Sequence, residues 1–187
     1  MRHLWLAALC VLSLLAPSLA QAQGPCVRDA LNQKVCLAEP AQRIVSLSPG
    51  ATELLFSAGA GEKVVAVSAW SDYPPEAENL PQVGDSNRLD LEAIVSLAPD
   101  LVVAWVDGNS RSQLERLSDL GISVFWLAPR TFDDIAAAVS DLALLTGSPD
   151  LGSERAEAFR AEIVKLKAQY ADARPVMVFY QIWDQPL

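Results

Sequence analysis

The sequence predicts an α/β fold in which the strands of a parallel sheet alternate with helices. Four short apolar runs are separated by helix-like segments, which is typical of buried parallel strands. The helix-like segments begin at capping residues and end at glycine or before proline. The connections are short enough for right-handed crossovers between neighbouring strands. Together these observations predict that these elements form one β/α lobe.

The four apolar runs give the predicted strands in chain order, at residues 43–48, 64–68, 101–105 and 123–128. Three prolines between residues 71 and 90 exclude a regular helix or a central strand there. The predicted helix starts are Ser48 with Pro49, Asp90, Asn109 with the pair Ser112 and Glu115, and Thr131. Residues 42–148 are therefore predicted to form one Rossmann-like lobe with a parallel sheet.

Residues 1–22 have the pattern of a secretory signal peptide. Arg2 gives a positive start, residues 4–15 are apolar, and small residues precede the expected cleavage after Ala22. The apolar stretch is too short to span a bilayer as a helix. We therefore expect an exported protein, periplasmic in a cell with an outer membrane.

The segment at residues 23–41 contains the two cysteines that remain after the signal is removed, Cys26 and Cys36. Two short extended stretches around a polar turn predict a β-hairpin that brings the thiols together. An oxidising compartment then favours a disulfide that holds this hairpin closed. A pair of free thiols is the alternative, and a metal site would need more ligands than these two.

The last part of the chain has a different pattern. Apolar side chains recur every three or four residues, which predicts a helix of some 20 residues at residues 149–173. Pro175 ends this helix, and the apolar run that follows predicts a strand at residues 174–187. We interpret the strand as the first of a second, incomplete α/β lobe, and the helix as the connection between the lobes.

Composition excludes several kinds of site. The only histidine, His3, lies in the signal, so an imidazole-based catalytic unit or metal site is not expected. No paired-carboxylate motif can be placed either, and we predict no catalytic residues and no metal. The chain has 14 basic against 23 acidic residues, which argues against nucleic acid or an anionic membrane as its partner.

Two tryptophans, Trp70 and Trp105, each lie at or just past the end of a predicted strand. In open α/β sheets, ligands bind at the carboxyl ends of the strands, so both indoles are candidates for one ligand-binding rim. Each could instead be an ordinary core or edge aromatic side chain. Trp126 and Trp183 also lie near strand ends and are secondary candidates.

Three stretches carry a resemblance to a known family: RIVSLSPGATELLFSAGAG, VVAVSAWSDYPPEAENLPQVG and LDLEAIVSLAPDLVVAW. In this order and spacing they resemble the helical-backbone class of bacterial substrate-binding proteins. Members of that class serve ABC importers for cobalamin, haem and iron–siderophore complexes. The resemblance implies two α/β lobes joined by one rigid helix, with the ligand in the cleft between them.

Within the class, the WSDYPP and PDLVVAW stretches look most like the cobalamin-binding branch. That resemblance implies that aromatic side chains at Trp70 and Trp105 face the corrin. It also implies that Glu92, on the lobe surface, docks onto arginines of the membrane permease. The alternative for Glu92 is a carboxylate that stabilises the start of its own helix.

The resemblance therefore implies a monomeric binding protein that is not an enzyme. It would capture cobalamin or a related corrinoid as transported ligand, with no cofactor, and deliver it to an inner-membrane ABC permease and its ATPase. Haem or an iron–siderophore complex is the alternative cargo for the same fold. Haem needs an axial ligand, and without histidine that ligand would have to be a tyrosine or lie outside this sequence.

Overall fold

The computed structural model describes residues 24–181. Its centre is a four-stranded parallel sheet, which confirms the α/β fold class and the four predicted strands. The strands are β3 (Ile44–Ser46), β4 (Val64–Val67), β5 (Leu101–Trp105) and β6 (Ser123–Leu127). Their order across the sheet is β4-β3-β5-β6. Because β3 pairs with both β4 and β5, the chain reverses its winding direction at β3.

Helices follow the strands: α1 (Pro49–Ser57), α2 (Leu91–Ser96), α3 (Arg111–Asp119) and α4 (Phe132–Thr146). Short 3₁₀ turns lie at Gly61–Lys63 and Pro75–Asn79. The Ser48 hydroxyl accepts a hydrogen bond from the Ala51 N–H, and the Asp90 carboxylate accepts one from the Ala93 N–H. These side-chain caps satisfy N–H groups that have no partner inside the helix, which is why the helices begin there.

The predicted start of α3 was wrong in detail. Ser110 is the residue at the cap, and it makes no capping bond with its side chain. Ser112 lies inside the helix, where its hydroxyl is 3.2 Å from that of Ser110. Asn109 is buried and its side chain is used elsewhere, as described below. A local pattern of capping residues could not show that a long-range contact would claim this side chain.

Successive side chains of a strand point to opposite faces of the sheet, and both faces of this sheet are buried. Val103 and Phe125 pack with α1 and α4 in one apolar cluster. Val102 and Val124 pack with α2 and α3 in the other. This double burial explains why the strands read as continuous apolar runs rather than as alternating patterns.

The N-terminal segment forms the expected hairpin. β1 (Cys26–Arg28) and β2 (Lys34–Cys36) pair antiparallel, and Cys26 and Cys36 are linked by a disulfide. The hairpin packs on the outer edge of the sheet, where the Ala30 N–H donates to the Trp126 carbonyl at 2.9 Å. It therefore covers an edge strand that would otherwise be open.

A long helix, α5 (Pro149–Gln169), packs against α4 along its N-terminal half. Gly152 and Ala156 are its buried positions, while Leu166 and Tyr170 are exposed. In the part of the chain that the structure describes, no helix is long and apolar enough to cross a membrane.

The strand predicted after α5 is not formed between residues 174 and 181. Side chains from Val176 to Tyr180 are 77–101% exposed. A strand requires hydrogen bonds to a neighbouring strand, and residues 174–180 belong to none of the described strand pairs. Residues 182–187 of the predicted strand lie outside the described residues. The predicted signal peptide, at residues 1–22, and Trp183 lie outside the described residues.

Candidate functional site

The carboxyl end of the parallel sheet forms a rim with α1 at its centre. β4 and β5 lie on either side of β3, so their ends flank the start of α1. Trp105 is the last residue of β5, and Trp70 follows the end of β4 after a short connection. Ligands of open α/β sheets bind at this edge and at this reversal of the winding direction. The rim is therefore the candidate binding surface.

Trp105 is held at the rim by its backbone and by the turn that follows. The Trp105 N–H donates to Asn109 Oδ1 at 2.7 Å, and Asn109 Nδ2 donates to the Leu47 carbonyl at 3.0 Å. Asn109 thereby ties the end of β5 to the end of β3. The indole lies over Gly108, where an added Cβ would be 2.2 Å from Trp105 Cε3. Only a residue without a side chain leaves room for this indole position.

A small apolar hollow opens beside Trp105. Its volume is about 220 Å³, and its walls come from the start of α1 and from the ends of β5 and β6. The lining side chains are almost wholly apolar, and they include Leu54, Trp105, Leu127 and Pro129. Such a surface suits the flat, carbon-rich part of a ligand. Trp70 does not line this hollow.

Trp70 projects from the rim with an exposed indole. Its side chain is 81% exposed, against 42% for Trp105. Its φ angle is +67°, a left-handed conformation that bulky residues rarely adopt. The residue before it is bonded to the next loop, since the Ala69 N–H donates to the Gly84 carbonyl at 2.8 Å. The residue after it, Ser71, is buried.

The structure separates the other tryptophan candidate from this rim. Trp126 is only 6% exposed, and its side chain packs in the apolar cluster shared with α2 and α3. It is a core side chain because β6 is buried on both faces almost to its end. We therefore do not retain Trp126 as a candidate for contact with a ligand on the rim.

Glu92 is exposed in the first turn of α2, next to the Asp90 cap. Two exposed apolar side chains, Val95 and Leu120, border the same surface hollow as Glu92. Within residues 24–181, no ion pair involves Glu92. Its charge is therefore available on the surface, with Val95 and Leu120 on one side and a polar hollow that Arg88 and Arg116 also line on the other.

Charged residues on the β6 side of the rim are already engaged. The Arg130 guanidinium pairs with the Asp107 carboxylate at 3.1 Å. Hydrogen bonds from the Arg130 N–H, and then from Thr131, hold the pKa of Asp134 below its ordinary value. Burial raises the pKa of Asp141, which lines a more polar hollow of about 360 Å³ beside the hairpin.

Sequence reasoning does not identify the residues that lie around the two indoles. The sequence indicates Asn109 only as a helix start, and it gives no role to Gly108. Ser46 and Ser68, near the ends of the first two predicted strands, also have no predicted role. Each of these serines is a hydroxyl residue within an otherwise apolar run. This pattern could have indicated them, because a buried hydroxyl needs a hydrogen-bond partner.

An aromatic rim at the carboxyl end of a doubly wound parallel sheet is typical of ligand-binding lobes, and comparison with known proteins gives the family of this chain. The model of the family described as "Periplasmic binding protein" matches residues 44–186. The chain belongs to this family.

Similar curated proteins carry a more specific description. The "Vitamin B12-binding protein" of Vibrio cholerae serotype O1 is 40% identical over 148 residues, 79% of this chain and 54% of that protein. The protein of the same description from Pectobacterium carotovorum is 43% identical over 148 residues, 78% of this chain and 54% of that protein. The chain spans about half the length of the curated relatives it matches.

Solved structures agree with the fold. The crystal structure of the periplasmic vitamin B12 binding protein BtuF of Vibrio cholerae aligns with a TM-score of 0.73 and 40% identity. The alignment covers 79% of this chain and 58% of that one. The periplasmic heme-binding protein RhuT from Roseiflexus aligns with a TM-score of 0.65 and 32% identity, over 72% of this chain and 52% of that one.

Proposed function

We propose that this chain forms the N-terminal, ligand-contacting lobe of a protein that captures cobalamin for import. In this proposal the protein binds a corrinoid in a cleft and delivers it to an inner-membrane ABC permease and its ATPase. The observation that carries the proposal is the pair of partly exposed indoles on one edge of the sheet. Relatives about 40% identical that are named for vitamin B12 binding support the same cargo.

The chemistry of the rim suits a corrin. A corrin is a broad, largely apolar ring with amide groups on its edges, so its face requires flat carbon surface. The hollow beside Trp105 and the projecting indole of Trp70 supply such surface. Aromatic side chains of this size contribute large contact areas at a ligand interface. The amide edges of the ligand would find hydrogen-bond partners among the polar groups bordering the rim.

The alternative cargoes find less support at this rim. Haem requires an axial ligand, and because the chain has no histidine beyond His3, that ligand would have to be a tyrosine such as the exposed Tyr73 or lie outside this sequence. Iron–siderophore complexes are usually anionic and favour free arginine or lysine. Arg130 is paired with Asp107 instead, and Arg111 lies near Glu115 on the surface of α3. The structural similarity to a heme-binding protein keeps haem as the competing cargo to be tested.

A titration with three ligands tests the proposed cargo. Purified full chain is titrated with cyanocobalamin, haemin and a ferric hydroxamate siderophore, and binding is followed by calorimetry and by absorbance. We expect saturable one-to-one binding of cyanocobalamin and at least tenfold weaker binding of the other two. If haemin or the siderophore binds more tightly than cyanocobalamin, that ligand replaces cobalamin as the proposed cargo.

Docking to the permease is the second part of the proposal, and it rests on Glu92. The exposed carboxylate has no ion pair among the described residues and is bordered by Val95 and Leu120. Such a group suits recognition by a basic surface, where charge complementarity sets orientation and association rate. The predicted signal peptide and a monomeric, periplasmic, non-enzymatic binding protein fit the same role.

The docking proposal is tested by removing that charge. Glu92→Gln is compared with Glu157→Gln, which removes an equal charge from an exposed position of α5. We expect Glu92→Gln to slow association with the permease complex in liposomes while cobalamin binding stays unchanged. The Glu157 variant should behave as wild type. Equal association rates for all three proteins would leave Glu92 as a carboxylate that stabilises the start of α2.

A further inference from the structure

Four hydroxyl side chains form a buried cluster beneath the rim. We call it the hydroxyl cluster: Ser46 from the end of β3, Thr52 from α1, and Ser68 and Ser71 from the segment after β4. None of the four is more than 5% exposed. The cluster therefore joins three separate parts of the lobe in a region that water does not reach.

Thr52 is the centre of the hydroxyl cluster. Its Oγ1 atom lies 2.8 Å from Ser46 Oγ, 3.1 Å from Ser71 Oγ and 3.2 Å from the Ser48 carbonyl oxygen. Ser71 Oγ is also 3.3 Å from Ser68 Oγ, and Ser46 Oγ is 3.3 Å from the Ser48 carbonyl. A threonine hydroxyl has a single proton and donates to one of these three oxygens, so at least one serine must donate to Thr52. The arrangement is a connected network in which each hydroxyl has a partner.

Ser71, a member of the hydroxyl cluster, directly follows Trp70 in the chain. Trp70 has a φ angle of +67°, which is strained for a bulky side chain and persists only when the surroundings hold it. Its indole is 81% exposed, so contacts of the side chain itself cannot do this. The backbone N–H of Ala69 donates to the Gly84 carbonyl, and on the other side of Trp70 the Ser71 side chain is bonded within the hydroxyl cluster.

We propose that Thr52 is a positioning residue for Trp70: through Ser71 it holds the left-handed backbone that presents the indole on the rim. The effect of this positioning on ligand affinity rests on the proposed cobalamin-binding function. The positioning itself does not, because it is a property of the ligand-free lobe. The positioning of Trp70 and its effect on ligand affinity can therefore be tested by two separate measurements.

The first measurement uses ligand-free protein. Thr52→Val removes the hydroxyl and keeps the shape of the side chain, while Ser46 retains the Ser48 carbonyl and Ser71 retains Ser68. Thr52→Ser keeps the hydroxyl. We expect the ¹⁵N order parameter of the Trp70 amide to fall from about 0.85 to below about 0.6 in the valine variant only. The buried Ile94 amide should be unchanged in both variants. An unchanged Trp70 amide in the valine variant overturns the proposal.

The second measurement is a double-mutant cycle with cyanocobalamin. We expect Thr52→Val to weaken binding roughly three- to tenfold, and to have no effect in a Trp70→Ala background, because residues coupled through a network are not additive. Thr52→Ser should restore wild-type affinity. An equal loss in both backgrounds assigns Thr52 to general stability and contradicts the positioning role.

The outcomes separate the two proposals. If wild-type protein does not bind cyanocobalamin, the proposed function fails, and the amide measurement still decides whether Thr52 positions Trp70. Should Thr52→Val not fold, Ser71→Ala tests the same link from its other end. We expect Ser71→Ala to lower the order parameter of the Trp70 amide and to weaken cyanocobalamin binding only when the Trp70 indole is present. An unchanged order parameter of the Trp70 amide in this variant refutes the positioning of Trp70 through Ser71.

Discussion

Replacing Trp70 and Trp105 by alanine should show how much each indole contributes to ligand affinity and how much to the stability of the lobe. Because side chains at a rim support little of the core, the position of both tryptophans at strand ends predicts that neither replacement changes stability much. The structure gives a different expectation for Trp105, which is 42% exposed, whereas Trp70 is 81% exposed. More than half of the Trp105 surface is therefore removed from solvent by the lobe itself, while most of the Trp70 surface is available to a ligand.

The magnitudes follow from these burials. With about 250 Å² for a tryptophan side chain, the lobe buries roughly 145 Å² of Trp105 and roughly 50 Å² of Trp70. At about 25 cal/mol per Å², these areas correspond to upper values of roughly 3.6 and 1.2 kcal/mol. We expect Trp105→Ala to lower the free energy of unfolding by about 2–3 kcal/mol, and Trp70→Ala by less than about 1 kcal/mol.

Two assays check this pair. Urea unfolding followed by circular dichroism gives the free energy of unfolding, and calorimetric titration with cyanocobalamin gives the affinity. Both variants should bind about 1–3 kcal/mol more weakly, one to two orders of magnitude in Kd, through loss of contact with the corrin face. Equal destabilisation by the two replacements, or unchanged affinity of the Trp70 variant, would refute this reasoning.

Three further predictions concern the support of the rim and the lobe. Gly108→Ala should displace the Trp105 indole and weaken cyanocobalamin binding in calorimetry, with no additional loss in a Trp105→Ala background. Replacing Cys26 and Cys36 together by serine should lower stability by at most about 3 kcal/mol, with faster hydrogen exchange confined to the hairpin; increased exchange throughout the lobe would contradict a local role. The lowered pKa of Asp134 stabilises the folded state above the unfolded pKa, and this contribution is lost as pH falls through the folded pKa. Wild type should therefore exceed Asp134→Asn in Tm at pH 7, and the difference should shrink as pH falls below the ordinary aspartate pKa of about 3.9, whereas a constant difference down into this acid range would exclude the carboxylate as the cause.

Local patterns predicted much of the lobe. The apolar runs and the capping residues Ser48, Asp90 and Thr131 gave the strands and most helix starts, because burial on both faces and unsatisfied N–H groups act over a few residues. The cysteine spacing likewise gave the hairpin and its disulfide. These features depend on neighbours in the sequence, so they can be read from it.

Features that depend on distant contacts could not be predicted in this way. Asn109 is of a residue type that often caps helices, but its side chain bridges Trp105 and Leu47. Trp126 and Trp105 both lie near the ends of strands, and only the packing of α2 and α3 shows that Trp126 belongs to the core. The role of the rim indoles in binding stays a prediction.

The most direct test of the rim as ligand site is a crystal structure of the full chain with bound cyanocobalamin. We expect the corrin to lie at the carboxyl end of the sheet, with one face against Trp105 and its hollow and with Trp70 within van der Waals contact. A corrin bound away from both indoles, for example beside the hairpin at the more polar hollow that Asp141 lines, would contradict the assignment of the rim as the ligand site.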